Sequence, residues 1–476
     1  MSQNGWEIPS FLDTKSNRLH INRVDVVELA REHGTPLFIY SESRIRHNVE
    51  RLKRSAAVID CPLKLCYAAK AMSTLGILRA VKNAGSDIEV NSGGELWKAL
   101  KVGFTGDQIN YNGNSKEVWE LELAISNNVY AIQVDSLYEL SLIEETAKQI
   151  GKPANVSLRL VPEIKTGTHS GLQTALVTSK FGMMPDEAFH AFAKYKDSPH
   201  LNLNGIHLHI GSQLPESQAY VDAFRMLTDS MMRIHDAAGT KLQHINLGGG
   251  FPVNYLRDDS MSAQFPNEQR EMFSADFEPA DAVGRAWQEA KQFADDCGAA
   301  HLLDGLTLLL EPGRSIIADA GICLTTIRNR KQRPVDQTKS AIRNPQSAID
   351  TWLLTDAGFN ILLSMETYKW YYHLISAERA GDAHDTPYRL AGPLCDGGDV
   401  YFDHEGLGRL PDHRLLPTDM KPGDVLALLN CGAYSLAQAM QYNGRFLPPV
   451  ILIKENGEPE LVRRRETFDD LIASDL

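Results

Sequence analysis

The stretch AIQVDSLYELSLIEETAKQIGKPANVSLRL, Ala131–Leu160, decides the fold. It opens on a short apolar run, Ala131–Val134. It then passes through Ser136–Ile150, whose apolar residues recur at three- and four-residue intervals as on an amphipathic helix, and returns to the β-rich run Val156–Leu160. Two strands joined by a helix of this length are parallel neighbours. Reading outward in both directions, the same alternation recurs. Leu63–Ala69, Ile88–Val90, Ile109–Tyr111, Gly205–Ile210, His244–Leu247 and Leu306–Glu311 complete a set of eight candidate strands, with helical patterns such as Tyr220–Ala238 between them. Eight repeats of strand and helix predict a (β/α)8 barrel of TIM type, its parallel strands buried on both faces.

After residue 311 the pattern changes. Short alternating strands such as Trp352–Thr355, Asp424–Leu429 and Pro449–Lys454 are separated by Gly, Pro and Asp turns and predict a mainly β domain. Leu19–Ile21 and Pro36–Tyr40 are also β-like and are expected to join that domain. The predicted organisation is therefore an N-terminal segment over 1–42, a barrel over 43–311 and a C-terminal β domain over 312–476. Arg257–Asp276 and Arg328–Ser347 are polar and without pattern, and read as surface insertions.

Composition narrows the function classes. A net charge of -13, from 61 acidic against 48 basic side chains, repels a phosphate backbone, and the one conspicuous basic stretch, Arg328–Arg343, is short and interrupted. Nucleic acid is not expected as a partner. No apolar run is long enough to cross a bilayer and the first residues do not form a secretory leader, so a cytoplasmic location is the default expectation. The six cysteines, Cys61, Cys66, Cys297, Cys323, Cys395 and Cys431, are scattered without CxxC spacing, which suits neither a zinc site nor a disulfide scaffold.

The ends of the candidate strands carry the chain's polar and glycine chemistry, where a barrel of this type builds its active site. Lys70 follows the first strand, Ser92–Glu95 the second, Asn112–Asn114 the third and Asp135 the fourth. Arg159 lies near the end of the fifth, His209–Gln213 closes the sixth, Gly248–Gly250 follows the seventh, and Glu311–Arg314 closes the eighth. Lys70 is either an exposed lysine starting a helix or an amine at a barrel mouth, freed for imine formation by desolvation. The glycine run is either a tight turn or a place where backbone N–H groups converge on phosphate. Glu311 ends a buried strand, so its carboxylate needs a cationic or protonated partner, a role a protonated pyridine nitrogen would fill. His207 and His209 share a strand face, yet no third ligand lies nearby, so in place of metal binding His209 is either stacked on a flat cofactor ring, the preferred reading, or a satisfied core histidine.

In this order, YAAKA, SGGEL, SKFG (Ser179–Gly182), HLHIGSQ, NLGGG, EPGR, GPLCDGGD and GAY resemble the fold-type III pyridoxal-phosphate decarboxylases, the family of diaminopimelate, ornithine and biosynthetic arginine decarboxylases. The resemblance runs from about residue 36 to about residue 450. It implies an alanine racemase-like barrel, pyridoxal 5'-phosphate as cofactor, and a homodimer whose β domains contribute to shared active sites. It implies that Lys70 carries the cofactor as a Schiff base, that His209 stacks on its ring and that Glu311 holds the pyridine nitrogen. Asp87, Arg159, Ser212, Gly249, Gly250, Arg314 and Tyr434 complete the implied cofactor site, and Cys395 is the implied acid that protonates Cα. Arg314, Asp396, Tyr368 and Tyr434 are the implied contacts to an amino-acid substrate.

The resemblance also locates a departure. Diaminopimelate decarboxylases usually carry Arg-Pro before a Leu-Tyr in the segment matching Ala357–His373, where the arginine helps hold a distal carboxylate; here Ser364-Met365 stands in that place. Serine cannot replace the charge. They also usually have Cys-Glu-Ser where this chain has Cys395-Asp396-Gly397, which is closer to the ornithine type, so Asp396 would face a distal ammonium. HIGSQ and EPGR look more like the branch that acts on a D-configured carbon. Together these imply decarboxylation of D-lysine, D-ornithine or meso-diaminopimelate. An amino-acid racemase on the same barrel, a decarboxylase of a carboxylated siderophore-type intermediate, and a catalytically dead regulator resembling the antizyme inhibitors are the rival readings.

Overall fold

Eight strands close into a parallel barrel in this computed structural model, which describes residues 5–161, 180–257, 265, 267–334 and 349–476. In chain order they are Leu63–Ala68, Asp87–Val90, Ile109–Tyr111, Ala131–Val134, Ala154–Arg159, Leu201–His207, His244–Asn246 and Thr307–Leu310, and the last pairs with the first. All eight predicted strands are present. The sixth begins earlier than Gly205 and stops at His207, so His209 lies two residues beyond it rather than inside it.

Local sequence sets the connections. Ser136 accepts a hydrogen bond from the Glu139 amide, starting the helix Leu137–Ile150, and Gly151 ends it in the left-handed conformation that a side chain disfavours. Ser92 and Gly103 frame Gly93–Val102 in the same way. Pro185 and Pro279 stand at the first turn of their helices, where a missing N–H costs nothing.

The chain divides into two compact units, Arg46–Pro252 with Ala275–Ile316, which holds the barrel, and Met1–Ile45 with Val253–Ser274 and Ile317–Leu476. In the second unit the long strand Gly321–Pro334 is the organiser. It pairs antiparallel with Leu37–Ser41, Ile349–Thr355 and Val425–Leu428, while Leu37–Ser41 runs parallel to Val450–Ile453. Its core draws Leu19, Ile39, Ile322, Leu324, Ala427 and Ile451 together from across the sequence.

Both predicted insertions need correction. Val253–Ser274 lies inside the predicted barrel range yet clusters with the β unit. Within it Phe265 and Phe273 are buried and meet Tyr371 and Trp370 edge to face, at 5.0 and 5.2 Å between ring centres, while 258–264 and 266 lie outside the described residues. Two aromatic rings far apart in a polar segment leave no period to read, although each buries a large apolar area. Arg328–Pro334 continues the long strand, and 335–348 lie outside the described residues.

Candidate active site

The carboxyl-terminal ends of the barrel strands surround a pocket of about 270 Å³ lined by Lys70, Asn112, Arg159, Phe181, His209 and Glu311, together with Asn91, Gly113, Asn114 and His207. Lys70 sits in a short 3-10 turn, Ala69–Ala71, whose two alanines are buried while the lysine is exposed. The Tyr67 hydroxyl donates to the Met72 carbonyl at 3.0 Å and closes the turn from below. Burying both neighbours fixes where the lysine leaves the backbone.

Glu311 lies at the floor with 6% exposure and is held by a ring of amides. Asn246 Nδ2 donates to it at 2.7 Å, Asn112 Nδ2 reaches both oxygens at 3.0 and 2.9 Å, and Asn110 Nδ2 donates as well. Glu89, fully buried, accepts from the same Asn112 nitrogen at 2.8 Å, so two carboxylates share one donor. Burial first, and the Glu89 charge second, push the Glu311 carboxyl from an ordinary 4.5 up to about 7. Two carboxylates this close, in surroundings this dry, call for a cation between the pocket and Glu311.

That shift has a measurable sign. The folded protein binds the Glu311 proton more tightly than the unfolded chain, so the stability it confers is fully present below pH 4.5 and is lost as pH rises toward about 7. Without cofactor, the melting temperature of the native sequence is expected to fall across that range relative to Glu311→Gln. A bound cationic ring nitrogen, which favours the carboxylate, should flatten the difference. Parallel melting curves with and without cofactor would dismiss the assignment.

The two histidines are uncharged. Burial lowers both well below the ordinary imidazole value, helped for His209 by the Lys70 and Arg159 charges and for His207 by Arg159 and His209. His209 Nδ1 accepts from the Gly249 amide at 3.3 Å, which leaves its proton on Nε2 and fixes the ring beside the glycine run. That run needs glycine for two different reasons. Gly248 has φ of +69°, and a Cβ at Gly249 would collide with the Glu311 carbonyl. Arg314 Nε donates to Ser212 Oγ at 3.2 Å, putting a guanidinium and a hydroxyl together, and Gly211 lies against Gly250. Arg159 stacks its guanidinium 4.3 Å from the centre of the Phe181 ring.

Of the predicted residues, then, Lys70, Arg159, His209 and Glu311 line one pocket, and Ser212, Gly249, Gly250 and Arg314 adjoin it through His209 and through one another. Asp87 is a correction. It is the first residue of its strand, at the opposite end from the pocket, and it is held by Lys64 at 2.6 Å and Gln108 at 3.3 Å. Glu89, two residues on and so on the same strand face one pleat nearer the pocket, is the carboxylate that reaches the ring of amides. Cys395, Asp396, Tyr368 and Tyr434 belong to the β unit. There Cys395 is exposed on a loop held by Asp399, which accepts from the Phe359 and Leu394 amides at 2.9 and 2.8 Å, while Asn443 Oδ1 accepts from the Cys395 amide at 2.7 Å. Asp396 accepts from the Gly398 amide at 2.9 Å and the Tyr442 hydroxyl at 3.3 Å. Ser364 Oγ lies 3.2 Å from both the Tyr434 carbonyl and Gln438 Oε1, so its one proton is already committed.

Sequence reasoning missed Asn91, Asn110, Asn246 and Glu89. For all but Asn91 a signal was legible: Glu89, Asn110, Gln133, Ser157, His207 and Asn246 place a buried polar residue on each of six successive barrel strands. Lone polar residues in buried strands are unremarkable one at a time; six in succession line a site.

Among the described residues no group of three His, Cys, Asp or Glu side chains is placed to hold a metal ion, and no helix is long and apolar enough to cross a membrane. What the pocket suits is a flat ring with a cationic nitrogen for Glu311, a carbonyl for Lys70 and an anionic tether for the glycine run and Arg314.

The family model for the pyridoxal-binding domain of pyridoxal-dependent decarboxylases matches residues 42–318. Diaminopimelate decarboxylase of Bacillus subtilis (strain 168) is 30% identical over 463 residues, covering 96% of this chain and 95% of that protein. The enzyme of the same name from Methanocaldococcus jannaschii is 32% identical over 471 residues, covering 98% and 96%. Among solved structures, the M. jannaschii diaminopimelate decarboxylase in co-complex with L-lysine superposes with a TM-score of 0.83 at 31% identity, covering 100% of this chain and 99% of that one.

Proposed function

Since this chain belongs to the pyridoxal-dependent decarboxylases, a family of carboxy-lyases that use pyridoxal phosphate, we propose that it removes the α-carboxylate at a D-configured carbon of a diamino acid whose far end is an ammonium, D-lysine or D-ornithine. Pyridoxal phosphate, when bound, supplies an electron-accepting ring. The residues around it divide the remaining work. Lys70 holds the cofactor covalently, Glu311 keeps a proton on its ring nitrogen, His209 packs on the ring face, and Ser212, Gly249, Gly250 and Arg314 hold its phosphate. Arg159, stacked on Phe181, supplies fixed positive charge to the same pocket. Cys395, exposed on its loop, is the proposed acid that returns a proton to Cα, supplied by a second copy of the chain.

The observation that carries the substrate reading is Ser364. It stands where a distal carboxylate would be clamped by arginine, is 5% exposed, and already spends its proton within the β unit. Nothing at that position offers a positive charge, whereas Asp396 offers a negative one. Tyr368 and Tyr434 are the further proposed substrate contacts. The identity to named diaminopimelate decarboxylases favours meso-diaminopimelate as the second reading.

Carbon dioxide release from D- and L-lysine, D- and L-ornithine, arginine and meso-diaminopimelate separates the two. Loss of a charge-assisted clamp costs about 1.5–3 kcal/mol, so D-lysine or D-ornithine should exceed meso-diaminopimelate in kcat/KM by about tenfold or more. Faster release from meso-diaminopimelate would overturn the ammonium reading, and preference for the L-isomers would overturn the configuration.

A further inference from the structure

Lys116 stands in the loop between the third barrel strand, Ile109–Tyr111, and the helix Val118–Ser126, yet its side chain is only 1% exposed. Its ammonium donates to the Gly113 carbonyl at 2.6 Å, to the Gln133 carbonyl at 2.9 Å and to Glu139 Oε1 at 2.6 Å. An ammonium has three protons, so every donor is committed, and the acceptors come from the end of the third strand, the fourth strand and the first turn of the helix Leu137–Ile150. Burial lowers the Lys116 pKa, and the Glu139 carboxylate works against that shift. A charge this costly to desolvate is not what loop closure by itself requires. One loop earlier, Glu120 spans the same kind of gap by accepting from the Gly93 amide at 2.5 Å, with no lysine between them.

Two routes lead from this nitrogen to the pocket. On one side, Gly113 and Asn114 line the pocket in front of Lys116. Gly113 has φ of +92°, and a Cβ there would strike the Asn91 carbonyl, so the strand end has little room to move. Asn112, the residue before it, is the one that donates to both Glu311 and Glu89. On the other side, Glu139 Oε2 accepts from the Asp135 amide at 2.7 Å, and Asp135 Oδ1 accepts from the Gly182 amide at 2.8 Å. Next to Gly182 is Phe181, whose ring carries the Arg159 guanidinium.

We propose that Lys116 is a positioning residue for this reaction: together with Glu139 it fixes the Asn112–Asn114 wall of the pocket relative to the Arg159–Phe181 wall, without touching cofactor or substrate. The inference rests on this pocket being the pyridoxal phosphate site and is independent of which diamino acid is decarboxylated. An ammonium suits the task because its N–H groups point apart toward three separate elements, whereas the planar guanidinium fork of arginine does not. A shift of either wall moves Glu311 or Arg159 relative to a bound ring, and misplacement on that scale is costly to catalysis.

The test needs a comparison, because taking apart any buried ion pair changes stability. Lys116→Met with Glu139→Gln removes both charges. Lys64→Met with Asp87→Asn removes a partly buried pair, 2.6 Å apart, whose aspartate begins its strand at the opposite end of the same barrel. In the cofactor-loaded proteins the near-visible circular dichroism per bound cofactor is read beside melting temperature, kcat and KM; a flat ring acquires that signal from a fixed asymmetric pocket. The Lys116 pair variant should lose much of the signal, with kcat down by about tenfold to a hundredfold and KM little changed. The Lys64 pair variant should keep both signal and kcat, whatever its melting temperature. Lys116→Arg, which keeps a charge beside Glu139 but not the three directions, should show the same loss as the Lys116 pair variant. Equal loss in the Lys64 variant, a parent-like signal and kcat in either Lys116 variant, or failure of both Lys116 variants to fold would each overturn the proposal, the last by making Lys116 a residue of stability alone. Failure of the site reading would show differently, as a parent protein that takes up no cofactor, and would take the proposal with it.

Discussion

Replacing Lys70 with alanine is expected to abolish both turnover and the near-visible absorbance of the covalently held cofactor, with kcat falling by at least about a thousandfold. The change is local by construction. Ala69 and Ala71 stay buried, the Tyr67 hydroxyl still clamps the Met72 carbonyl, and the turn keeps its shape. What disappears is one amine at the mouth of the pocket. Lys70→Arg separates charge from chemistry, because it returns a cation without a nitrogen able to form the link. If the purified alanine variant kept the parent spectrum, Lys70 would not be the attachment point, and the roles assigned to the residues around it would go as well.

Glu311→Gln should have the next largest effect, a fall of about 10²–10³ in kcat, with weaker retention of cofactor. The substitution preserves size but reverses the hydrogen-bond logic of the floor. Asn110, Asn112 and Asn246 all point donors at this side chain, and a glutamine amide sets its own donors against them. Asn110 cannot simply turn over, since its Oδ1 accepts from Gln133 Nε2 at 2.8 Å. The variant therefore loses the charge that would hold a proton on the ring nitrogen and also leaves buried polar atoms in conflict. Glu311→Asp, which restores the charge at a shorter reach, should recover part of the activity. Equal activity of the native enzyme and Glu311→Gln would sink the assignment.

The two predictions rest on different kinds of evidence. Lys70 was visible because a lysine directly after an apolar strand, in YAAKA, is a local pattern. The grip on Glu311 was not, because its partners come from the third and seventh strands and meet only when the sheet closes. Asp87 shows the same limit from the other side. On sequence it and Glu89 are neighbouring acids on one strand, and only their position along the barrel axis sends one to Lys64 and the other to the amide ring.

By itself the sequence determined the eight-strand, helix-crossover plan, since periods of 2 and 3.6, serine caps and glycine stops are written into short contiguous segments and act at short range. It also determined which strand ends carry lysine, histidine, glycine and arginine chemistry. Tertiary structure alone decided that six scattered polar residues lie on successive barrel strands, and that Phe265 and Phe273 pack against aromatic rings of the β unit. The reason is one of distance: burial, pKa and charge balance depend on which atoms lie within a few ångströms, and strand closure and β pairing bring together residues separated by tens to hundreds of positions.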